Sequence, residues 1–166
     1  LHKAIHSFPT RRSSDLLCLS MMLFLCGCGE EKSDSTIEEP EITGKYLQED
    51  YSQQLLNDGA ETVVGYVTLD KLGEGDYSVH ISERQVVASS EYKDGYYIAD
   101  NNVAKDVTLG AEGRIACQKG KELNVVSADD FIQDHNDGES QLYTVYLMGD
   151  SAELILATDP ADVETK

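Results

Sequence analysis

Between residues 62 and 157 apolar side chains recur at every second position in short runs, and each run ends in a turn signal. Val63, Val67 and Leu69 share one parity, while Tyr77, Val79 and Ile81 alternate with Ser78, His80 and Ser82. A period of two places the two sets on opposite faces of a pleated strand. Gly65 breaks the first run as a bulge or a point of close backbone approach. Asp94-Gly95, Asn101-Asn102, residues 110–113, Lys119-Gly120 and Gly149-Asp150-Ser151 punctuate the later runs. Asp94-Gly95 suits a type I′ turn, with Tyr92 directly opposite Tyr97. In the closing hairpin Tyr143, Val145 and Leu147 are expected to face Leu154 and Leu156. About eight short strands in roughly 100 residues predict a mainly β domain, an antiparallel β-sandwich or small barrel.

Two helical stretches flank or interrupt this pattern. Over residues 45–58, Leu47, Tyr51 and Leu55 recur every four positions, and Asn57-Asp58-Gly59 supplies the stop. Ser127 followed by Asp130 reads as a capping box with Asp in place of Glu, opening a short internal helix around Phe131 and Ile132. No internal repeat or second domain is evident, and long helical patterns are too few for a parallel α/β fold.

Upstream, an apolar run over residues 17–27 reaches Leu25-Cys26-Gly27-Cys28 and stops at Gly29-Glu30-Glu31-Lys32. It is too short to span a bilayer and has the length of a signal-peptide apolar region. The segment resembles the end of a bacterial lipoprotein signal peptide, whose lipobox has Leu three residues before the acylated cysteine and a small residue just before it. Leu25 and Gly27 take those places, with Cys26 where the family has Ala, Ser or Thr. The resemblance implies that residues 17–27 are the remnant of the signal and that Cys28 carries the lipid. It also implies a domain held at the cell membrane, facing outside the cytoplasm. Residues 6–16 resemble the translation of a common sequencing-library adapter, so residues 1–16 are read as non-native. Residues 28–44, acidic and broken by Pro40, are expected to be a disordered tether. The β-rich domain is then residues 45–160, with 161–166 as a tail.

Charge narrows the partners. The chain has net charge −18; without Lys3, Arg11, Arg12 and Asp15 it keeps 10 basic and 30 acidic residues, or −20. Phosphate recognition needs clustered Lys and Arg, so nucleic acid is excluded. Adsorption to anionic lipid is equally disfavoured, leaving the anchor as the membrane contact. No Gly-rich phosphate loop marks a nucleotide site, and no cofactor is implied. Once Cys18 and Cys26 leave with the signal and Cys28 is acylated, Cys117 remains as a lone thiol. Its alternation with Ile115 marks it as a buried small hydrophobe.

Three places invite a chemical reading. Tyr92, Tyr96 and Tyr97 around Asp94-Gly95 form either a stabilising cross-strand pair or an aromatic platform for a peptide or sugar. Asp134, Asn136, Asp137 and Glu139 offer oxygens for loose Ca²⁺ binding. Their spacing departs from an EF-hand loop, because Gly138 falls one place early and Val145 stands where Glu is required. No paired Cys and His motif supports zinc. His80, with Ser78 and Ser82 on the same face, raises the possibility of a hydrolase using Ser, His and carboxylates. A Gly-x-Ser-x-Gly elbow is missing and no oriented acid is identifiable in sequence, so a solvated strand residue is the simpler reading. The sequence therefore points to a lipid-anchored envelope module that binds or supports a protein or glycan and is not an enzyme. The alternatives are an envelope-facing hydrolase or a structural spacer subunit.

Overall fold

Six strands supply the frame: β1 (Glu61–Lys71), β2 (Tyr77–Ala88), β3 (Tyr96–Lys119), β4 (Glu122–Val126), β5 (Tyr143–Met148) and β6 (Ser151–Ala157). They are seen in a computed structural model that describes residues 41–165. Cys28, its signal remnant and the adapter-like segment lie outside the described residues. β1 pairs with β2 on one edge and β5 on the other; β5 pairs with β6, β6 with β3, and β3 with β2. The ring β1-β2-β3-β6-β5-β1 is therefore closed, which makes the frame a small barrel. β4 folds back on the end of β3 outside that ring.

The expectation of a wholly antiparallel sheet fails at one seam, because β3 and β6 run parallel. A parallel pair requires a long crossover. Here β4, the short helix Ala128–Asp134 and β5 together make it.

Six strands replace the expected eight because two supposed turns lie inside β3. Asn101-Asn102 is a bulge: Ser82 faces Ala104 and Arg84 faces Asp100, which leaves extra residues on β3. Asn102 absorbs the irregularity at φ 54°, and its N–H donates to Asp100 Oδ1 at 2.7 Å. Residues 110–113 form a second irregularity in the pairing with β6, where the register jumps between Leu109 and Arg114. Both segments have turn-forming composition, and the neighbouring strands hold them extended.

Alternation fills the barrel as period two requires. Val67, Leu69, Val79, Ile81, Ile115, Tyr143, Val145 and Ile155 point inward and are almost wholly buried. Phe131, from the helix Ala128–Asp134, joins the same core and is fully buried. Covering a side chain of this size is worth about 1.5–3 kcal/mol. Ser127 caps that helix as expected: its Oγ accepts from the Asp130 N–H at 3.1 Å and donates to Asp130 Oδ2 at 2.7 Å. Lys71, at the end of β1, ties the helix down through Asp129 at 2.8 Å.

A second cluster lies outside the barrel wall. The N-terminal helix runs through an α turn (Gly44–Tyr46), a π-helical stretch (Leu47–Tyr51) and an α segment (Ser52–Asn57). Leu47 and Leu55 pack with Ala116, Tyr146, Leu154 and Leu156. β6 is thus covered on both faces. This corrects the expected facing of Leu154 and Leu156. Tyr146 pairs with Leu154 but Leu147 with Ala152, so Glu153 is an extra residue that changes the parity. Ile155 and Ala157 turn inward while Leu154 and Leu156 turn toward the helix.

The domain also begins earlier than expected. Thr43 Oγ1 accepts from the Tyr46 N–H at 3.1 Å and caps the helix. Gly44, assigned to the tether by composition, is buried, and a Cβ there would collide with the Leu123 carbonyl. Past β6, Pro160–Asp162 forms a single 3₁₀ turn across the expected boundary between the domain, residues 45–160, and the tail, residues 161–166.

Candidate functional site

The β2–β3 hairpin continues past the point where β1 leaves β2. Arg84 to Ala88 of β2 pair with β3 alone, up to Ala88 opposite Tyr96 and Val87 opposite Tyr97. Residues 89–95 form the loop at its tip, with the Ser89 N–H donating to the Gly95 carbonyl at 2.8 Å and Gly95 at φ 79°. The expected two-residue hairpin is therefore a longer loop, and the strand partner of Tyr97 is Val87. The two tyrosines nevertheless meet. Tyr92, folded back from the loop, stacks on Tyr97 with ring centroids 5.3 Å apart and planes 29° from parallel. They are 54% and 38% exposed. Tyr96 is half-buried and outside the stack.

The acidic loop after the short helix has a different use. Asn136 Oδ1 accepts from the Leu69 N–H at 2.7 Å, and its Nδ2 donates to the Leu69 carbonyl at 3.0 Å. The amide acts as a one-residue strand, satisfying β1 beyond Gly65, where its pairing with β5 ends. Asp137 Oδ1 accepts from the Glu139 and Ser140 N–H groups and from Ser140 Oγ. Those donors hold its carboxyl below the usual carboxylate range. Two of the four proposed Ca²⁺ ligands are thus spent on shaping the loop. Among the described residues no three of His, Cys, Asp and Glu converge in a way that could hold a metal ion.

His80 has partners the sequence did not reveal. On the outer barrel wall its Nε2 lies 3.1 Å from Asp70 Oδ2 on β1, and its Nδ1 contacts Asp106 Oδ1 on β3. The imidazole thus bridges three adjacent strands. The hydrogen bond to Asp106 raises its pKa above the ordinary histidine value, with smaller help from Asp70 and against partial desolvation. Asp106 is directly opposite His80 in the β2–β3 register, but Asp70 is displaced by two residues from its β1 partner, Thr68. Only knowledge of the strand register would have identified them. A shallow pocket of about 130 Å³, lined by Tyr66, Thr68, Ser82 and Gly138, adjoins His80 and Asp106. Ligand sites are usually several times larger. A Ser-His-acid relay needs one imidazole nitrogen on the acid and the other free for a hydroxyl. Carboxylates hold both nitrogens here, so the geometry is that of a charged clasp.

Cys117 sits inside the barrel, 2% exposed, as its alternation indicates. Its Sγ lies 3.8 Å from the Tyr143 hydroxyl, and burial pushes the thiol up to about 11. The thiolate needed for nucleophilic chemistry is scarce at neutral pH. Neither a protein-family model, nor a curated protein, nor a solved structure matches the chain.

Proposed function

We propose that this protein is a lipid-anchored accessory module of the cell envelope, attached through Cys28, which engages an envelope protein or glycan through the end of its β2–β3 arm. The observation that carries the binding reading is the exposed Tyr92–Tyr97 stack. Partly exposed aromatic rings at the end of the β2–β3 hairpin offer a flat apolar face for a sugar ring or a peptide side chain. The location reading rests on Leu25-Cys26-Gly27-Cys28 and the acidic segment after it. Two acyl chains at one cysteine give stable attachment.

The frame is compatible with that role. A five-stranded barrel is also the frame of the OB-fold, which binds oligonucleotides and oligosaccharides on the face of its second and third strands and with the loops after its first and fourth strands. Frame alone does not assign function. The net charge of −18 disfavours the nucleic-acid branch of that comparison.

The test is cosedimentation of the full chain with purified cell-wall sacculi and with membranes depleted of the protein. Tyr92→Ala with Tyr97→Ala is expected to weaken retention about tenfold or more, with thermal stability unchanged. Equal retention of both forms removes the tip from the proposal. Cys28→Ala is expected to release the protein from membranes in a form that keeps its precursor mass. Full membrane retention of that variant sinks the anchor.

A further inference from the structure

Above Gly65 the first two strands part. β1 and β2 are in register from Gly65 opposite Glu83 to Lys71 opposite Tyr77. Residues 61–64 of β1 pair only with β5, and residues 84–88 of β2 pair only with β3. Each segment keeps one edge with no partner strand among the described residues. The two edges face a single groove of about 480 Å³, with Thr62, Val63 and Val64 on one wall and Arg84, Gln85 and Val86 on the other. Gly65 is the crotch of this fork, because any Cβ there would run into the Ser82 carbonyl and hold the strands apart.

An open strand edge is a row of N–H and C=O groups at fixed spacing, and an extended polypeptide backbone matches it. The protein's own chain adopts that form in the lining of the groove. Val163, extended at φ −82° and ψ 134°, lines it together with Glu164. Charge selects among peptides. The two cations of the fork are already engaged: Arg84 with Asp100 at 2.9 Å and Lys105 with Glu83 at 3.5 Å. Glu61 and Glu164 have no ion-pair partner among the described residues, and the chain as a whole is at −18.

We propose that the fork between β1 and β2 is a strand-addition site for an extended, basic segment of a partner polypeptide. The segment enters above Gly65 and pairs with one or both open edges. Main-chain hydrogen bonds give such complexes their affinity, and alternate side chains give specificity. The proposal rests on the reading of the domain as a binding module and names its partner class, but it uses neither the lipid nor the tyrosine stack.

The probe is a fluorescein-labelled octapeptide alternating Lys with Val or Thr, titrated by anisotropy against the detergent-solubilised full chain. Three twins accompany it: one with Glu for Lys, and two N-methylated at odd or at even positions, which keep the charge but remove backbone donors. The basic probe is expected to bind. The acidic twin and at least one methylated twin are expected to bind at least about tenfold more weakly, the loss of one or two charged or main-chain contacts. Amide exchange is expected to slow over residues 61–64 and 84–88. Equal binding by both methylated twins means adsorption by charge alone and overturns the proposal. So does absence of binding, or protection confined to other segments. Tyr92→Ala with Tyr97→Ala is expected to leave probe affinity unchanged. If that variant abolishes it, the probe sits at the tip and the fork fails while the binding-module reading stands. Retention of that variant on sacculi and membranes equal to that of the wild type, with probe binding unchanged, has the opposite meaning: the tip fails and the fork stands.

Discussion

The Cys117 thiol and the Tyr143 hydroxyl meet 3.8 Å apart inside the barrel, and each provides the other with a polar neighbour in an otherwise apolar core. Burial raises the pKa of both groups, the thiol to about 11. At pH 8 a disulfide reagent is expected to label Cys117 only after denaturation. Tyr143→Phe removes the partner and is expected to cost about 0.5–1.5 kcal/mol in urea unfolding. Rapid labelling of the native protein would place the thiol at the surface and refute its role as a core residue.

His80 makes stability depend on pH in a defined direction. Its folded-state pKa is raised above the unfolded value of 6.5, chiefly by the hydrogen bond to Asp106. The stabilisation from the protonated clasp is fully present below that unfolded value and is lost as pH rises through the folded one. The side chain is 39% exposed, so solvent screening limits the effect to about 0.2–1 kcal/mol. His80→Gln is expected to lower the melting temperature more at pH 5.5 than at pH 9. A deficit of the same size at both pH values would show that charge on the imidazole contributes nothing.

Asn136 is expected to matter for stability without any cation. Asn136→Ala leaves the Leu69 N–H and carbonyl without their partners, at a cost of about 1–3 kcal/mol. Millimolar Ca²⁺ is expected to leave the melting temperatures of wild type and variant unchanged. A rise in the wild type alone would restore the loop as a cation site.

Phe131 is the plug of the barrel. Phe131→Ala opens a cavity among Tyr143, Ile115 and their neighbours, and is expected to cost about 3–5 kcal/mol in chemical denaturation. A cost below about 1 kcal/mol would mean that the short helix is dispensable to the core.

Local chemistry was legible in the sequence, and long-range register was not. The cap at Ser127, the stop at Gly59, the close approach at Gly65 and the inward set of alternating residues follow from neighbours within a few positions. By contrast, Asn101-Asn102 has the composition of a turn whether it reverses the chain or bulges within it. Only pairing with β2 decides that. The same limit hid the carboxylates around His80, which come from strands 10 and 26 residues away. The Tyr92–Tyr97 contact was anticipated through an incorrect turn, because stacking requires proximity and not a ladder position. Gly44 appeared to belong to a tether since composition cannot register a backbone pressed against Leu123.

β5 and β6 come last in the chain yet stand between β1 and β3 in the ring. Val63 must therefore find Val145, and β3 must find β6, before the barrel exists at all. Contacts so distant in sequence slow folding, and a chain emerging from its N-terminus carries two unsealed sheet edges until the final hairpin arrives. The closing hairpin is the keystone of assembly, and its loss would leave an open, adhesive intermediate in place of a slightly shorter barrel.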